Sequence, residues 1–185
     1  QTDVQVDLSP ELARITRRLH DTTRAGADAQ EPAALRATLR PYQRQGLAWL
    51  QALHETGLGG CLADDMGLGK TIQVLSLLLI LRRAQGDSRR PSILVAPVSL
   101  LANWAAEIER FAPSLKAMIA HTSAMTASEL KSIGGARIGD IDLVITSYGS
   151  LLRIPWLVTT KWNIAVLDEA QAIKNPDARQ TRAAK

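Results

Sequence analysis

The residues of this sequence that could perform chemistry begin with a phosphate-binding pattern, Gly67-Leu68-Gly69-Lys70-Thr71. A glycine-rich loop before a helix can point several backbone N–H groups at one phosphate, and the start of the helix adds partial positive charge. Lys70 would place its ammonium group between the β- and γ-phosphates, and Thr71 would offer its hydroxyl to Mg²⁺. A glycine-rich turn before a buried helix is the alternative explanation of these residues.

The loop departs from the usual G-x-x-x-x-G-K-[ST] pattern, because Asp64 stands where that pattern has its first glycine. Gly67 and Gly69 still supply the flexible backbone positions nearest the phosphate. The departure therefore does not exclude a nucleotide site.

A second motif, VLDEAQ (166–171), places Asp168 and Glu169 directly after an apolar segment. One carboxylate can hold hydrated Mg²⁺, and the next can orient or deprotonate an attacking water. Two acids that merely open a loop are the alternative. A G-K-T loop followed two or more strands later by an Asp-Glu pair indicates the two-part Mg·ATP site of many NTPases.

The composition is that of a globular domain, with 185 residues, 46% hydrophobic and 22% charged. A net charge of +4 permits a phosphate-rich partner. The single cysteine, Cys61, excludes an internal disulfide framework and fits a reducing compartment. The longest apolar run, 74–81, which contains only Ser76 as a polar residue, is too short to span a bilayer, and the first residues have no signal-peptide pattern. We expect a soluble intracellular protein that binds no membrane.

From residue 39 onward, amphipathic segments alternate with short apolar ones. Helices are predicted at about 41–56, 71–85 and 99–112, the last with Ser99 as its cap, and a short one after the capping box Thr126-x-x-Glu129. Strands are predicted at 59–63, 92–96, 116–121, 142–146 and 164–168. The alternation predicts an α/β fold with a mainly parallel sheet and helices on both faces. Ligands bind at the carboxyl ends of such strands, where loops 64–70 and 168–171 would lie.

Residues 1–38 differ from the rest of the chain. A short helix is predicted near 10–20, followed by a polar, alanine-rich connector. We therefore predict an N-terminal extension over 1–38 and the main domain over 39–185.

Five segments occur in the order found in the Swi/Snf family of helicase-like ATPases, which this chain resembles, and its bacterial members most. They are LRPYQRQGLAWL (39–50), LADDMGLGKT (62–71), ILVAPVSLLANW (93–104), VITSYGSL (144–151) and VLDEAQAIKNP (166–176). The resemblance implies a translocase on double-stranded DNA that uses ATP and Mg²⁺. It implies two RecA-like lobes, of which this chain would hold an incomplete first one. It also implies a place in the bacterial cytoplasm, at the nucleoid.

The resemblance assigns roles to matching residues. Gln43 corresponds to a glutamine that reads the adenine edge, for which an amide offers both a donor and an acceptor. Arg40 and Tyr42 are further candidates on the nucleotide side, and the phosphate loop comprises Gly67, Leu68, Gly69, Lys70 and Thr71. Asp168 would hold the metal together with Thr71, and Glu169 would activate water, so the predicted catalytic residues are Lys70, Asp168 and Glu169. An acidic residue at the position of Asp64 is common in this family.

The predicted DNA contacts lie in two segments. The first holds Pro97, Ser99 and Asn103, and the second Thr146, Ser147 and Tyr148. Hydroxyls and helix N-termini can bind phosphates without reading sequence, which suits a translocase. Gln171 replaces the histidine of many members, which couples nucleotide and DNA. Trp49 and Trp104 are interpreted as packing residues and excluded from the site.

Two other functions remain open. One is a non-catalytic scaffold module, against which the intact Lys70, Thr71, Asp168 and Glu169 argue. The other is a motor acting on RNA polymerase or other DNA-bound proteins. Because the family's arginine finger comes from the second lobe, we expect this chain alone to hydrolyse ATP very slowly or not at all.

Overall fold

The structure is a computed structural model that describes residues 9, 10, 13, 14, 16, 17, 30–65, 67–86, 90–133, 138–175 and 177–184. The described residues between 10 and 17 are helical, and the rest of the helix predicted near 10–20 lies outside the described residues. The chain divides into two compact units, Gln1–Leu77 and Leu78–Lys185. The boundary predicted at residue 38 stays a prediction.

The first unit is built on helix α1, Pro41–Glu55, and on the start of helix α2, Lys70–Gln85. Pro41 occupies the first turn of α1, where its missing N–H costs no hydrogen bond. Buried residues of α1 include Leu47, Ala48 and Leu53. Both predicted helices are confirmed.

The strand predicted at 59–63 is wrong. These residues have no regular secondary structure. Gly59 and Gly60 supply no side chain to pack against a neighbouring strand, and glycine disfavours strands for that reason.

The second unit contains a four-stranded parallel sheet in the order β2-β3-β1-β4. The strands are β1 Ser92–Ala96, β2 Ala117–Ile119, β3 Leu143–Ser147 and β4 Ala165–Leu167. Leu94 pairs with Ile145 on one side and with Val166 on the other. The predicted parallel sheet is confirmed, since all ten residues of β1 and β3 are buried, as a continuous apolar run requires.

Short helices follow the strands. They are α3 Leu101–Phe111, α4 Ala127–Ser132, α5 Tyr148–Leu151, α6 Pro155–Thr159 and α7 Arg179–Ala184. A 3₁₀ turn, Val98–Leu100, leads into α3, and another, Ala170–Ile173, follows β4. The predicted capping box of α4 is present. The predicted Ser99 cap is wrong, because Ser99 lies within the 3₁₀ turn and α3 has no side-chain cap.

The core of this unit lies between the sheet and its short helices. Alternate residues of the central strands, Ile93, Val95 and Val144, pack in one cluster with Leu130 and Leu157. In the part of the chain that the structure describes, no helix has the length and apolar character needed to cross a membrane.

Candidate nucleotide and DNA site

The phosphate loop has the backbone that its glycines predict. Gly67 and Gly69 have φ angles of 84° and 78°, a region that residues with a side chain rarely adopt. A Cβ at Gly69 would also overlap the side-chain amide of Gln43. The loop therefore requires glycine at position 69 for two reasons. Met66 lies outside the described residues.

Lys70 begins α2 and turns its ammonium group back onto the loop. Its Nζ donates hydrogen bonds to the carbonyl oxygens of Asp64, at 2.6 Å, and Asp65, at 3.0 Å. An ammonium group has three donors and no acceptor, so it suits any cluster of oxygens, phosphate included. The structure thus places this charge against the loop that the sequence predicts it to serve.

Asp64, which replaces the first glycine of the general pattern, anchors the loop. Its carboxylate accepts a hydrogen bond of 3.2 Å from Nε2 of Gln73, which is 1% exposed. Gln73 is a structural residue of the site that the sequence analysis missed. A polar side chain within the otherwise apolar helix α2 was the available signal, because buried amides need partners.

Gln43 lies against the same loop. Its Oε1 accepts from the backbone N–H of Arg40 at 2.8 Å, and its Nε2 donates to the carbonyl of Leu68 at 3.1 Å. The hydroxyl of Tyr42 donates to that carbonyl too, at 3.2 Å. The structure therefore brings together Gln43, Leu68 and Gly69. An amide retains one N–H and one lone pair beyond these bonds, so adenine recognition stays a prediction.

Asp168 directly follows β4, and its position is fixed by hydrogen bonds within the second unit. Its N–H donates to the carbonyl of Val95 at 2.8 Å, and its Oδ1 accepts from the N–H of Glu169 at 3.0 Å. Its Oδ2 accepts from Nε1 of Trp104 at 2.8 Å. Trp104 is buried, as its interpretation as a packing residue requires, and it also contacts a predicted site residue. A buried indole needs a partner for its N–H, and here that partner is the predicted metal ligand.

Glu169 is exposed and has a left-handed backbone, with φ 51° and ψ 50°. Within the described residues, it alone of the non-glycine residues has a positive φ. Its carboxylate accepts a hydrogen bond from the side chain of Gln171. The motif thus presents a solvent-facing acid on a strained backbone, as is typical of functional positions.

The three predicted DNA contacts of the second segment, Thr146, Ser147 and Tyr148, are buried. The hydroxyl of Thr146 donates to the carbonyl of Ala120 at 2.8 Å, and that of Tyr148 to the carbonyl of Asp168 at 2.8 Å. Burial, reinforced by the charges of Asp168 and Glu169, raises the pKa of Tyr148 to about 12. The phenol is therefore a protonated donor at neutral pH. Burial disfavours direct DNA contact by all three residues, and the hydrogen bonds of Thr146 and Tyr148 indicate supporting roles for these two.

The three predicted DNA contacts of the first segment are more accessible. Ser99 and Asn103 are exposed and Pro97 is half-buried. All three follow the carboxyl end of β1: Pro97 precedes the 3₁₀ turn, Ser99 lies in it, and Asn103 lies in the first turn of α3. Polar groups at the start of a helix can bind phosphate oxygens.

The donor chemistry fits a magnesium ion. Hydroxyl and carboxylate oxygens are its preferred protein ligands, and Mg²⁺ usually retains waters and takes phosphate oxygens. An ionised carboxylate has about four lone-pair positions, so the two hydrogen bonds donated to Asp168 leave capacity for a metal-bound water. Thr71 lies next to Lys70 in the first turn of α2, and its role as a ligand stays a prediction.

Comparison with known proteins places these motifs in a family. The family model described as the SNF2-related domain matches residues 42–185. The chain belongs to the SNF2-related domain family. The resemblance drawn from the five sequence segments is thereby confirmed.

Relatives of this SNF2-related domain come from bacteria and from fungi. The chain is 39% identical over 181 residues to YwqA of Bacillus subtilis, whose name describes an ATP-dependent helicase/translocase. That match covers 97% of the chain and 19% of YwqA. This chain is also 40% identical over 157 residues to the helicase SWR1 of Debaryomyces hansenii, and that match covers 84% of the chain and 10% of SWR1. The chain thus spans a fifth or less of these relatives.

A solved structure shares the fold. The SWI2/SNF2 ATPase core of Sulfolobus solfataricus in complex with double-stranded DNA superimposes with a TM-score of 0.73 at 37% identity. The match covers 84% of this SNF2-related chain and 31% of that one. The predicted fold class, a RecA-like lobe that is present in part, is confirmed.

Proposed function

We propose that this chain is the ATP-binding part of a DNA-dependent ATPase that moves along double-stranded DNA and remodels protein–DNA complexes. The observation that carries the proposal is the intact pair of motifs within a SNF2-related domain. Lys70 begins α2 after a glycine loop, and Asp168 and Glu169 follow β4. A relative with the same fold was solved with double-stranded DNA. A non-catalytic scaffold would have no need of these charged groups.

In the proposed reaction, Lys70 exchanges the carbonyls of Asp64 and Asp65 for the β- and γ-phosphates of ATP. Thr71 and Asp168 would hold hydrated Mg²⁺, which would neutralise charge on the phosphates. Glu169 orients the attacking water and accepts its proton as the water oxygen bonds to the γ-phosphorus and the bond from that phosphorus to the bridging oxygen breaks, which gives ADP and phosphate.

The proposed DNA contacts are Pro97, Ser99 and Asn103, because their side chains are accessible at one end of the sheet. Such contacts would bind the phosphate backbone and position DNA without reading its sequence. A second RecA-like lobe in the same protein is the proposed partner for closing on ATP, and the bacterial nucleoid is the proposed location.

The test is an ATPase assay on the longer protein that contains this chain. Turnover is measured with no nucleic acid, double-stranded DNA, single-stranded DNA or RNA, and double-stranded DNA should stimulate it most. Lys70→Ala should abolish that stimulation, whereas Lys161→Ala, at another lysine, serves as the matched control. Stimulated turnover retained in Lys70→Ala would refute the site.

A second arm separates binding from hydrolysis. Glu169→Gln keeps the side-chain shape and removes the base, so ATP binding should persist while turnover is lost. Glu109→Gln, at an exposed residue of α3, is the control. Loss of ATP binding in Glu169→Gln would show that Glu169 has a structural rather than a catalytic role.

A further inference from the structure

The carboxylate of Asp168 receives a hydrogen bond from a residue far away in sequence. Trp104 and Asp168 are 64 positions apart, and Nε1 of the indole lies 2.8 Å from Oδ2 of the carboxylate. The other distant partners, Val95 and Tyr148, bond to the backbone of Asp168. Trp104 therefore acts on the charged group itself and influences the direction in which its oxygens point.

Trp104 lies on the helix that carries the proposed DNA contacts. Asn103 is its neighbour on α3, and Ser99 lies in the 3₁₀ turn that leads into α3. Asn103 is exposed, whereas Trp104 is 6% exposed. The buried face of α3 also includes Leu101 and Ile108. One short helix thus has an outer face that can meet a ligand and an inner face that contacts Asp168.

A rigid indole ring transmits a displacement of its helix directly to its hydrogen-bond partner. Its N–H is fixed in a rigid ring, and N–H···O hydrogen bonds have heavy-atom distances of about 2.7–3.2 Å. A shift of α3 by roughly 0.5 Å along this bond would exceed that range unless the carboxylate moved with it. Movement of α3 therefore either reorients Asp168 or breaks the bond.

We propose that Trp104 is a positioning residue through which DNA contact on α3 sets the orientation of the Asp168 carboxylate and so the rate of ATP hydrolysis. This inference rests on the proposed function and adds a mechanism by which DNA binding affects the ATP hydrolysis site. Trp104 contacts neither ATP nor the reacting atoms; it acts through Asp168.

The decisive variant is Trp104→Phe, which keeps a buried aromatic ring and removes the N–H. Trp156→Phe is the matched control, because Nε1 of Trp156 also donates a 2.8 Å hydrogen bond, to the carbonyl of Leu130. In the longer protein, Trp104→Phe should lower the ratio of DNA-stimulated to basal turnover by about tenfold or more, as expected for loss of a hydrogen bond to a charged group. The DNA dissociation constant should not change, and Trp156→Phe should retain the stimulation ratio.

A spectroscopic measurement tests the same bond without altering it. With fluorotryptophan incorporated, the ¹⁹F signal of Trp104, assigned by its loss in Trp104→Phe, should shift when double-stranded DNA is added. The signal of Trp156 should remain in place. A merely structural Trp104 would give no selective response to DNA.

The outcomes separate the two proposals. If DNA stimulates the unaltered protein but both tryptophan variants behave alike, or the Trp104 signal ignores DNA, the coupling is refuted and the proposed function stands. If DNA does not stimulate the unaltered protein, both are refuted.

Discussion

Gln73 joins helix α2 to the residue that replaces the first glycine of the phosphate loop, since its Nε2 lies 3.2 Å from a carboxylate oxygen of Asp64. The same nitrogen lies 3.4 Å from the carbonyl of Gly69. One amide therefore ties two points of the loop to the helix that follows it. The acidic residue has a physical function in holding the loop.

Replacing Asp64 by alanine should destabilise the protein by about 1–3 kcal/mol, because the nearly buried amide of Gln73 would lose its carboxylate partner. Asp64→Asn retains an oxygen acceptor and should cost clearly less. Urea unfolding midpoints of the two variants test this. Equal stability of the alanine variant and the unaltered protein would show that the hydrogen bond contributes nothing.

Gly46→Ala should destabilise, although alanine is usually better than glycine within a helix. Gly46 lies in α1, and a Cβ there would overlap Oε1 of Gln73. In a Gln73→Ala background the space is open, so the same change should stabilise by the ordinary preference of about 1 kcal/mol. A double-mutant cycle measured by denaturant unfolding checks the change of sign. The same sign in both backgrounds would contradict the proposed overlap.

Because the pKa of Tyr148 is raised, we expect the protein to lose stability at alkaline pH. Its pKa is about 12 in the folded protein and 10.0 in the reference state. Because the pKa is higher in the folded protein, the unfolded chain ionises first as the pH rises. The contribution of Tyr148 to the free energy of unfolding is therefore complete below pH 10 and is lost as the pH rises towards 12. Thermal melts from pH 9 to 12 should therefore show a steeper decline for the unaltered protein than for Tyr148→Phe. Parallel curves would show that this phenol makes no contribution.

Thr126 caps α4, where its hydroxyl accepts from the N–H of Glu129 and the Glu129 carboxylate accepts from the N–H of Thr126. Thr126→Ala should cost about 1 kcal/mol of stability. Thr122→Ala, at an exposed threonine outside any helix, is the control and should be nearly neutral. Chemical denaturation of the two variants tests this, and equal unfolding midpoints would show that the Thr126 cap does not contribute to stability.

Much of the second unit could be predicted from local sequence. Strands β1 and β3 are buried on every residue, so their uninterrupted apolar runs identified them to within a residue. The segment 59–63 was misleading because three apolar residues follow two glycines and the pattern of a short strand is weak.

The partners of Asp168 could not be predicted in this way. The amphipathic pattern of α3 places Trp104 on the buried face, which is correct, but says nothing of where its N–H points. That direction depends on β4 arriving beside β1, and on the 64 positions between donor and acceptor. The hydrogen bond of Tyr148 could not be predicted either, because the sequence indicates the turn after β3 but not that the hydroxyl donates to the distant carbonyl of Asp168.

The strand order of the sheet also determines when each strand gains its partners during translation. Ile93 of β1 pairs with Ala165 of β4, 72 positions later by subtraction of these numbers. At about 5–20 residues per second, a ribosome needs roughly 4–14 seconds to supply the missing neighbour. During that interval one edge of β1 lacks its hydrogen-bonding strand. Until β4 is synthesised, the nascent chain therefore exposes an unpaired strand edge at which it can aggregate, and a chaperone that covers this edge would be useful then.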